Sequence, residues 1–370
     1  MVEEKIHIGL DLTPLQTELR TGAAGRVAQA YFEWFTANPN FIVQPYSNGD
    51  FPRENGDGSE QWREKLFDRW RLAWNYTNTE IDVLQIIDPR RMPPRSAAPV
   101  VTLVHDLIPY LYRERYQESI FEQYIYWRMK RQILNSDFIV TPSRSTSKDL
   151  QMSFGLDSEN IRPIYHGIDH RRFYPRSEEE VQTIREELGV DEPYFLMVAD
   201  MSSYDPIKNL EEVVENWDYR VLSEVQLVVA GKQGEYSRRL EEKWEGKEDN
   251  LLFTGYVDDS QLASLYTGAQ LFLFPSRYEG YGFSVLEAMA CGTRPVVRDV
   301  GAMREISGEA AIQLDDNEYA EQLMDVVTDS IGDFSVEDDC VEQAKKFRWT
   351  QTVRELESLY GEISTVAAGS

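Results

Sequence analysis

Short apolar runs alternate along this chain with amphipathic stretches of helical period, and that alternation leaves few folds open. Strands that are each followed by a helix pair in parallel, and a parallel sheet needs helices on both faces. The pattern predicts strands in the first half at Lys5–Leu10, Phe41–Pro45, Val83–Ile87, Val100–His105, Phe138–Thr141 and Arg162–Tyr165. In the second half it predicts them at Tyr194–Ala199, Gln226–Ala230, Leu251–Phe253, Leu271–Pro275, Pro295–Arg298 and Ala311–Leu314. Helices are expected at Ala23–Thr36, Gln61–Trp74, Tyr116–Leu134 and Arg144–Ser153, then from near Lys208, Tyr236, Asp259, Ser284, Gly301 and Asn317. A chain of 370 residues exceeds one ordinary core. Turn and charge signals gather at His166-Gly167-Ile168-Asp169, Phe173-Tyr174-Pro175 and Ser177–Glu187. The expectation is therefore α/β, with two Rossmann-like domains, 1–175 and 176–345, facing across a cleft, and a terminal segment 346–370. In such domains ligands meet the carboxyl ends of the strands.

Charge excludes one class of partner. Residues 1–175 carry 23 acidic and 21 basic side chains, whereas 176–370 carry 41 and 17, within a total of −26. A protein that tracks phosphate along a nucleic acid needs a basic face, so nucleic acid is not expected. The opening residues are acidic and read as a strand rather than a secretory leader, and no apolar run reaches membrane-spanning length. Cys291 and Cys340 give neither a disulfide framework nor metal-ligand spacing, so no metal site and a cytoplasmic location are expected.

The densest chemistry lies in Ser276–Glu287, after the apolar run Leu271–Pro275 and before Ala288-Met289-Ala290-Cys291-Gly292. This reads as strand, glycine-bearing loop and helix. Gly280 and Gly282 permit a tight turn that points the amides of Gly282, Phe283 and Ser284 outward. Free amides at a helix start attract phosphate. Glu279 and Glu287 flank the turn, and carboxylates accept hydrogen bonds from hydroxyls. A diphosphate with a polyol at each end, a sugar nucleotide, fits that layout.

Glu279 and Glu287, set between a Phe-Pro-Ser strand end and a Glu-Ala-Met-Ala-Cys-Gly helix, resemble the retaining GT-B glycosyltransferases of family four. The resemblance implies that Glu279 holds donor-hexose hydroxyls and Glu287 the ribose. Thr21-Gly22-Ala23-Ala24-Gly25-Arg26 follows the first strand and opens a helix. Read alone, it is either a ligand contact or a plain turn. It resembles the amino-terminal glycine loop of that family, with Gly22 and Gly25 beside the donor. His105-Asp106-Leu107-Ile108-Pro109 resembles a subgroup rich in mannosyltransferases, which implies His105 against the hexose with Asp106 as its neighbour.

Lys208, in Asp205-Pro206-Ile207-Lys208-Asn209, falls at a helix start, where an ammonium can neutralise a departing diphosphate. The family usually carries arginine where Ile207 stands. Val257, in Thr254-Gly255-Tyr256-Val257, is a candidate contact to the nucleotide by position. The terminal segment from Phe347-Arg348-Trp349-Thr350 to Tyr360 resembles the family's last helix, which crosses back to the first domain. Tyr110–Leu134 gathers aromatics with Arg113, Arg115, Arg128, Lys130 and Arg131, a surface suited to a glycan acceptor or an anionic lipid head group. A second such surface is Gln61–Trp74, with Trp62, Phe67, Trp70 and Trp74.

The resemblance implies a retaining, metal-independent hexosyltransferase with front-face attack and no cofactor beyond its donor. GDP-mannose leads, with UDP- and dTDP-sugars as alternatives. The acceptor would be a glycan or a lipid-linked sugar, with peripheral contact at the inner membrane face. Rival readings are a GT-B epimerase or phosphorylase and a non-catalytic sugar-nucleotide-binding subunit. A dehydrogenase is disfavoured because no Gly-x-Gly-x-x-Gly follows a strand.

Overall fold

The structure, a computed structural model, describes residues 5–16, 22–46, 80–91, 96–191, 193–217, 225–244, 250–332 and 336–368. Gln61–Trp74, with its four aromatics, lies outside the described residues, as does Thr21. The chain forms two compact units, one of Met1–Gly167 with Trp349–Ser370 and one of Ile168–Arg348.

The first unit holds a sheet of β1 (Ile6–Asp11), β2 (Phe41–Tyr46), β3 (Val83–Ile86), β4 (Val100–Leu103), β5 (Phe138–Thr141) and β6 (Ile161–Pro163). All its pairings are parallel, in the order β2-β1-β3-β4-β5-β6. Every residue of β3 and of β4 is buried, as expected for strands covered on both faces. The last helix, Trp349–Ala368, belongs to this unit. Its Tyr360 hydroxyl donates to Gln85 Oε1 at 2.6 Å, where both are buried, and its Trp349 stacks on His166 at 5.7 Å.

The second unit holds β7 (Tyr194–Val198), β8 (Gln226–Ala230), β9 (Leu251–Gly255), β10 (Phe272–Phe274), β11 (Pro295–Arg298) and β12 (Ile312–Leu314). Its parallel order is β12-β11-β10-β7-β8-β9. The core packs Phe195 against Trp217, edge to face at 5.8 Å, with Met197, Leu227, Val229 and Leu273 around them. Each such large apolar side chain contributes about 1.5–3 kcal/mol by leaving water. Residues 168–175 pack here too, Phe173 against Tyr266 and Arg172 against Asp259.

Strand order positions the site. From β7 the chain steps outward through β8 and β9, then returns to β7's other side as β10. The crevice between β7 and β10 at their carboxyl ends is thus a topological switch point. In the first unit, β1 lies between β2 and β3 in the same way.

Three expectations shift. The helix expected over Tyr116–Leu134 begins only at Ile120, because Ser119 caps it. Ser119 Oγ accepts from Glu122 N at 3.1 Å while Glu122 Oε2 accepts from Ser119 N at 2.8 Å. Strand β4 ends at Leu103, so His105 stands in the following loop. The helix near Lys208 starts at Leu210, behind Asn209 with a left-handed φ of 53°.

Gly231 closes β8 at a φ of +138°, and a Cβ there would lie 1.9 Å from the Ala199 carbonyl oxygen. Gly231→Ala should therefore destabilise the second unit by about 2 kcal/mol or more, measured as a lower denaturant midpoint.

Candidate functional site

Strand β10 ends at Phe274, and Pro275 turns the chain out of the sheet. Ser276, 1% exposed, then ties this turn to the loop after β7. Its Oγ lies 3.2 Å from the Ile207 carbonyl and 2.7 Å from Glu279 Oε1, and Arg277 N donates to the same carbonyl at 2.9 Å. Ile207 is itself buried, 2% exposed, with its amide on Asp205 Oδ1 at 3.0 Å. The position where an arginine was expected is thus a core wedge joining the two loops.

Across that joint, Lys208 Nζ meets Glu279 Oε1 at 2.7 Å. The lysine side chain is 35% exposed and the glutamate 15%, so the pair is reachable while sheltered enough for a charge-assisted bond to form. The switch point accounts for the encounter. Lys208 leaves β7 and Glu279 leaves β10, and those strands are neighbours although 71 residues separate the two side chains.

Beyond Glu279 the turn is shaped by glycine. Gly282 caps the helix Phe283–Ala290 with φ +114°, and a Cβ there would approach Met303 Cε to 2.7 Å. Phe283 and Ser284 open that helix, an end where the helix dipole favours an anion. Glu287 lies within the helix, 3% exposed. Val257 follows Gly255, whose φ is +75°, and is 8% exposed, whereas its neighbour Tyr256 is 72% exposed.

The other expected residues belong to the first unit. Gly22 caps the helix Ala23–Ala37 in extended backbone that any residue adopts, and Gly25 is buried in its first turn. Conformation therefore does not demand either glycine. Asp106 Oδ1 accepts from Ile108 N at 2.9 Å, a local turn contact. His105 has a buried Nε2 with no hydrogen-bond partner among the described residues. Burial pushes its imidazole down to about 4, Asp88 opposing and Arg90 adding to the shift. Around it, at the ends of β1 and β3, Asp11 accepts from the amides of Thr13, Ile87 and Asp88, and Asp88 pairs with Arg90 at 2.8 Å.

Sequence reasoning thus found Lys208 and Glu279 but missed Ser276, whose hydroxyl fixes the carboxylate, and Arg298, buried at the end of β11. The only signal for Arg298 was a charge closing an otherwise apolar strand. Among the described residues no three His, Cys, Asp or Glu side chains gather as a metal site.

Residues 34–172 match the family described as Glycosyltransferase Family 4, and 180–347 that described as Glycosyl transferases group 1. The chain is 26% identical over 264 residues to the serotype-specific mannosyltransferase WbdA of Escherichia coli, covering 68% of this chain and 32% of that protein. It therefore spans about a third of that relative. It is 25% identical over 211 residues to the O-antigen chain mannosyltransferase RfbU of Salmonella typhimurium, covering 56% of this chain and 54% of RfbU. In fold it is similar to a sucrose-phosphate synthase of Thermosynechococcus elongatus, with TM-score 0.76 at 18% identity, covering 99% and 100% of the two chains. It is also similar to Anabaena Alr3699/HepE in complex with UDP-glucose, with TM-score 0.70 at 15% identity, covering 99% and 100%.

An imidazole held neutral by burial contributes stability above its ordinary pKa of 6.5, and that contribution is lost as pH falls toward about 4. His105→Asn should flatten the fall in thermal midpoint between pH 6.5 and 4, measured against wild type by scanning calorimetry.

Proposed function

Since the chain belongs to the GT-B glycosyltransferases of family four, we propose that it moves a hexose from a nucleotide-diphosphate sugar to a glycan or lipid-linked acceptor. Mannose from GDP-mannose is the first choice of donor, in keeping with the mannosyltransferases among its relatives. UDP- and dTDP-sugars follow, and the relative solved with UDP-glucose keeps the former in view.

The observation that carries this reading is the Lys208–Glu279 pair at the second unit's switch point, 2.7 Å apart and beside a glycine-capped helix start. The diphosphate would take the Lys208 ammonium and the amides of Gly282, Phe283 and Ser284. Glu279, held by Ser276, would accept from hexose hydroxyls, Glu287 from the ribose, and Val257 would lie by the base. On the first unit, His105 is proposed to contact the hexose, beside Asp106 and the Gly22 and Gly25 loop.

The proposed transfer retains configuration. The bond from the anomeric carbon to the diphosphate breaks, and the acceptor hydroxyl bonds to the same face. The hydroxyl's proton passes to the departing phosphate, leaving a glycoside and a nucleoside diphosphate. Charge develops on the leaving oxygens, and fixed donors there stabilise it most. In this scheme Lys208 and the helix amides do the neutralising, without a metal.

A further part of the proposal is peripheral contact with the anionic cytoplasmic face of a membrane. Along the helix Ile120–Leu134, the exposed side chains Ile120, Tyr124, Trp127 and Leu134 recur at helical spacing, and Arg131 lies 5.7 Å over the Trp127 ring. A groove of about 890 Å³ between Tyr110, Arg113, Trp127, Lys130 and Arg131 adjoins that row. Apolar side chains rimmed by cations suit an anionic bilayer surface. No helix among the described residues is long and apolar enough to cross one.

Two measurements follow. Offered GDP-, UDP- and dTDP-sugars with an acceptor, wild type should release free nucleotide and form a glycoside. Lys208→Ala and Glu279→Ala should each lower turnover at least about tenfold, some 1.4 kcal/mol, while staying folded by circular dichroism. Nucleotide binding without any transfer would overturn the reading. For the membrane, Tyr124→Ser with Trp127→Ser should abolish co-flotation with phosphatidylglycerol vesicles, and wild type should ignore phosphatidylcholine alone.

A further inference from the structure

Arg298 is the last residue of β11 and 1% exposed, one of the largest fully buried side chains in the described residues. Burying a cation costs several kcal/mol before its partners offset it, so a plain strand end would be better served by an apolar residue like Val296 or Val297. Its guanidinium is spent on three separate chain segments. Nε donates to the Pro275 carbonyl at 2.9 Å. One terminal nitrogen donates to the Asp316 carbonyl at 2.8 Å and to Asp316 Oδ1 at 2.5 Å. The other donates to Glu212 Oε2, and the group lies 4.0 Å over the Tyr319 ring.

Two of those segments lead directly to the proposed phosphate and hexose groups. Pro275 precedes Ser276, whose hydroxyl fixes the Glu279 carboxylate. Glu212 stands in the first turn of the helix Leu210–Asn216, and its Oε2 also accepts from Asn209 Nδ2, with Arg277 3.9 Å away. Asn209 is the one non-glycine residue with positive φ among the described residues, and Lys208 is attached to it. The left-handed step that launches Lys208 is thus held through Asn209 and Glu212, and the turn that launches Glu279 through Pro275. Both holds end on one guanidinium.

We propose that Arg298 is a positioning residue, which fixes Lys208 and Glu279 in mutual register by bracing the loops after β7 and β10 from beneath. A lysine could not replace it. A single ammonium lacks the planar fork that reaches three directions at once. This inference rests on the glycosyltransferase reading, since it assigns Arg298 to the same site.

The test measures nucleotide release from GDP-mannose and from UDP-glucose by wild type, Arg298→Lys, Lys208→Ala and the double variant. Arg298→Lys should lower kcat at least about tenfold with donor KM changed less than about threefold, because the charge remains and only alignment is lost. Added to Lys208→Ala, it should cost less than about threefold more, since register has no value once one partner is gone. Should Arg298→Lys fail to fold, Glu212→Gln, whose side chain is 22% exposed, carries the same two expectations. Wild-type kcat in the single variant, or losses that multiply in the double, would overturn the proposal while leaving the proposed function standing. A wild type inactive on every nucleotide sugar would remove both.

Discussion

A lysine ammonium resting 2.7 Å from a glutamate oxygen is the contact on which the proposed site in the second unit depends. It exists because a parallel sheet reverses its winding between β7 and β10, so two distant loops emerge side by side. Everything nearby maintains that meeting. Ile207, buried, joins the loops through its carbonyl, Ser276 fixes the carboxylate, and Gly282 turns the chain into a helix start.

The setting sharpens the role of that one cation. Residues 176–370 carry 41 acidic and 17 basic side chains, so the second half as a whole repels a diphosphate. Attraction has to be local, from charges aimed at the ligand within a screening length rather than from the summed field. Arg298 contributes little to it directly, because Glu212 and Asp316 take it. Its charge is turned inward, to geometry, whereas Lys208, 35% exposed and paired with Glu279, stays within reach of solvent.

Much of this was legible in the sequence, and what was not is non-local. Apolar runs located all twelve strands, and three, Phe138–Thr141, Gln226–Ala230 and Pro295–Arg298, came out with unchanged ends. Glu279 and Lys208 were readable because each sits at a strand-to-helix turn with its own glycine or proline signal. That they touch was not readable, since contact depends on strand order, which no local pattern encodes. Ser276 and Arg298 were invisible for the same reason. Ser276 ties to the Ile207 carbonyl 69 residues away, and the partners of Arg298 lie 18, 23 and 86 residues away. The late start of the helix Ile120–Leu134 is different. Ser119 and Glu122 spell a capping box that was there to be read.

The account is tested most directly by a crystal structure of the protein grown with GDP-mannose. It predicts a diphosphate oxygen within about 3 Å of Lys208 Nζ, hexose hydroxyls on Glu279, and the amides of Gly282 to Ser284 turned toward the phosphates. A nucleotide sugar seated elsewhere, touching neither Lys208 nor Glu279, would contradict it.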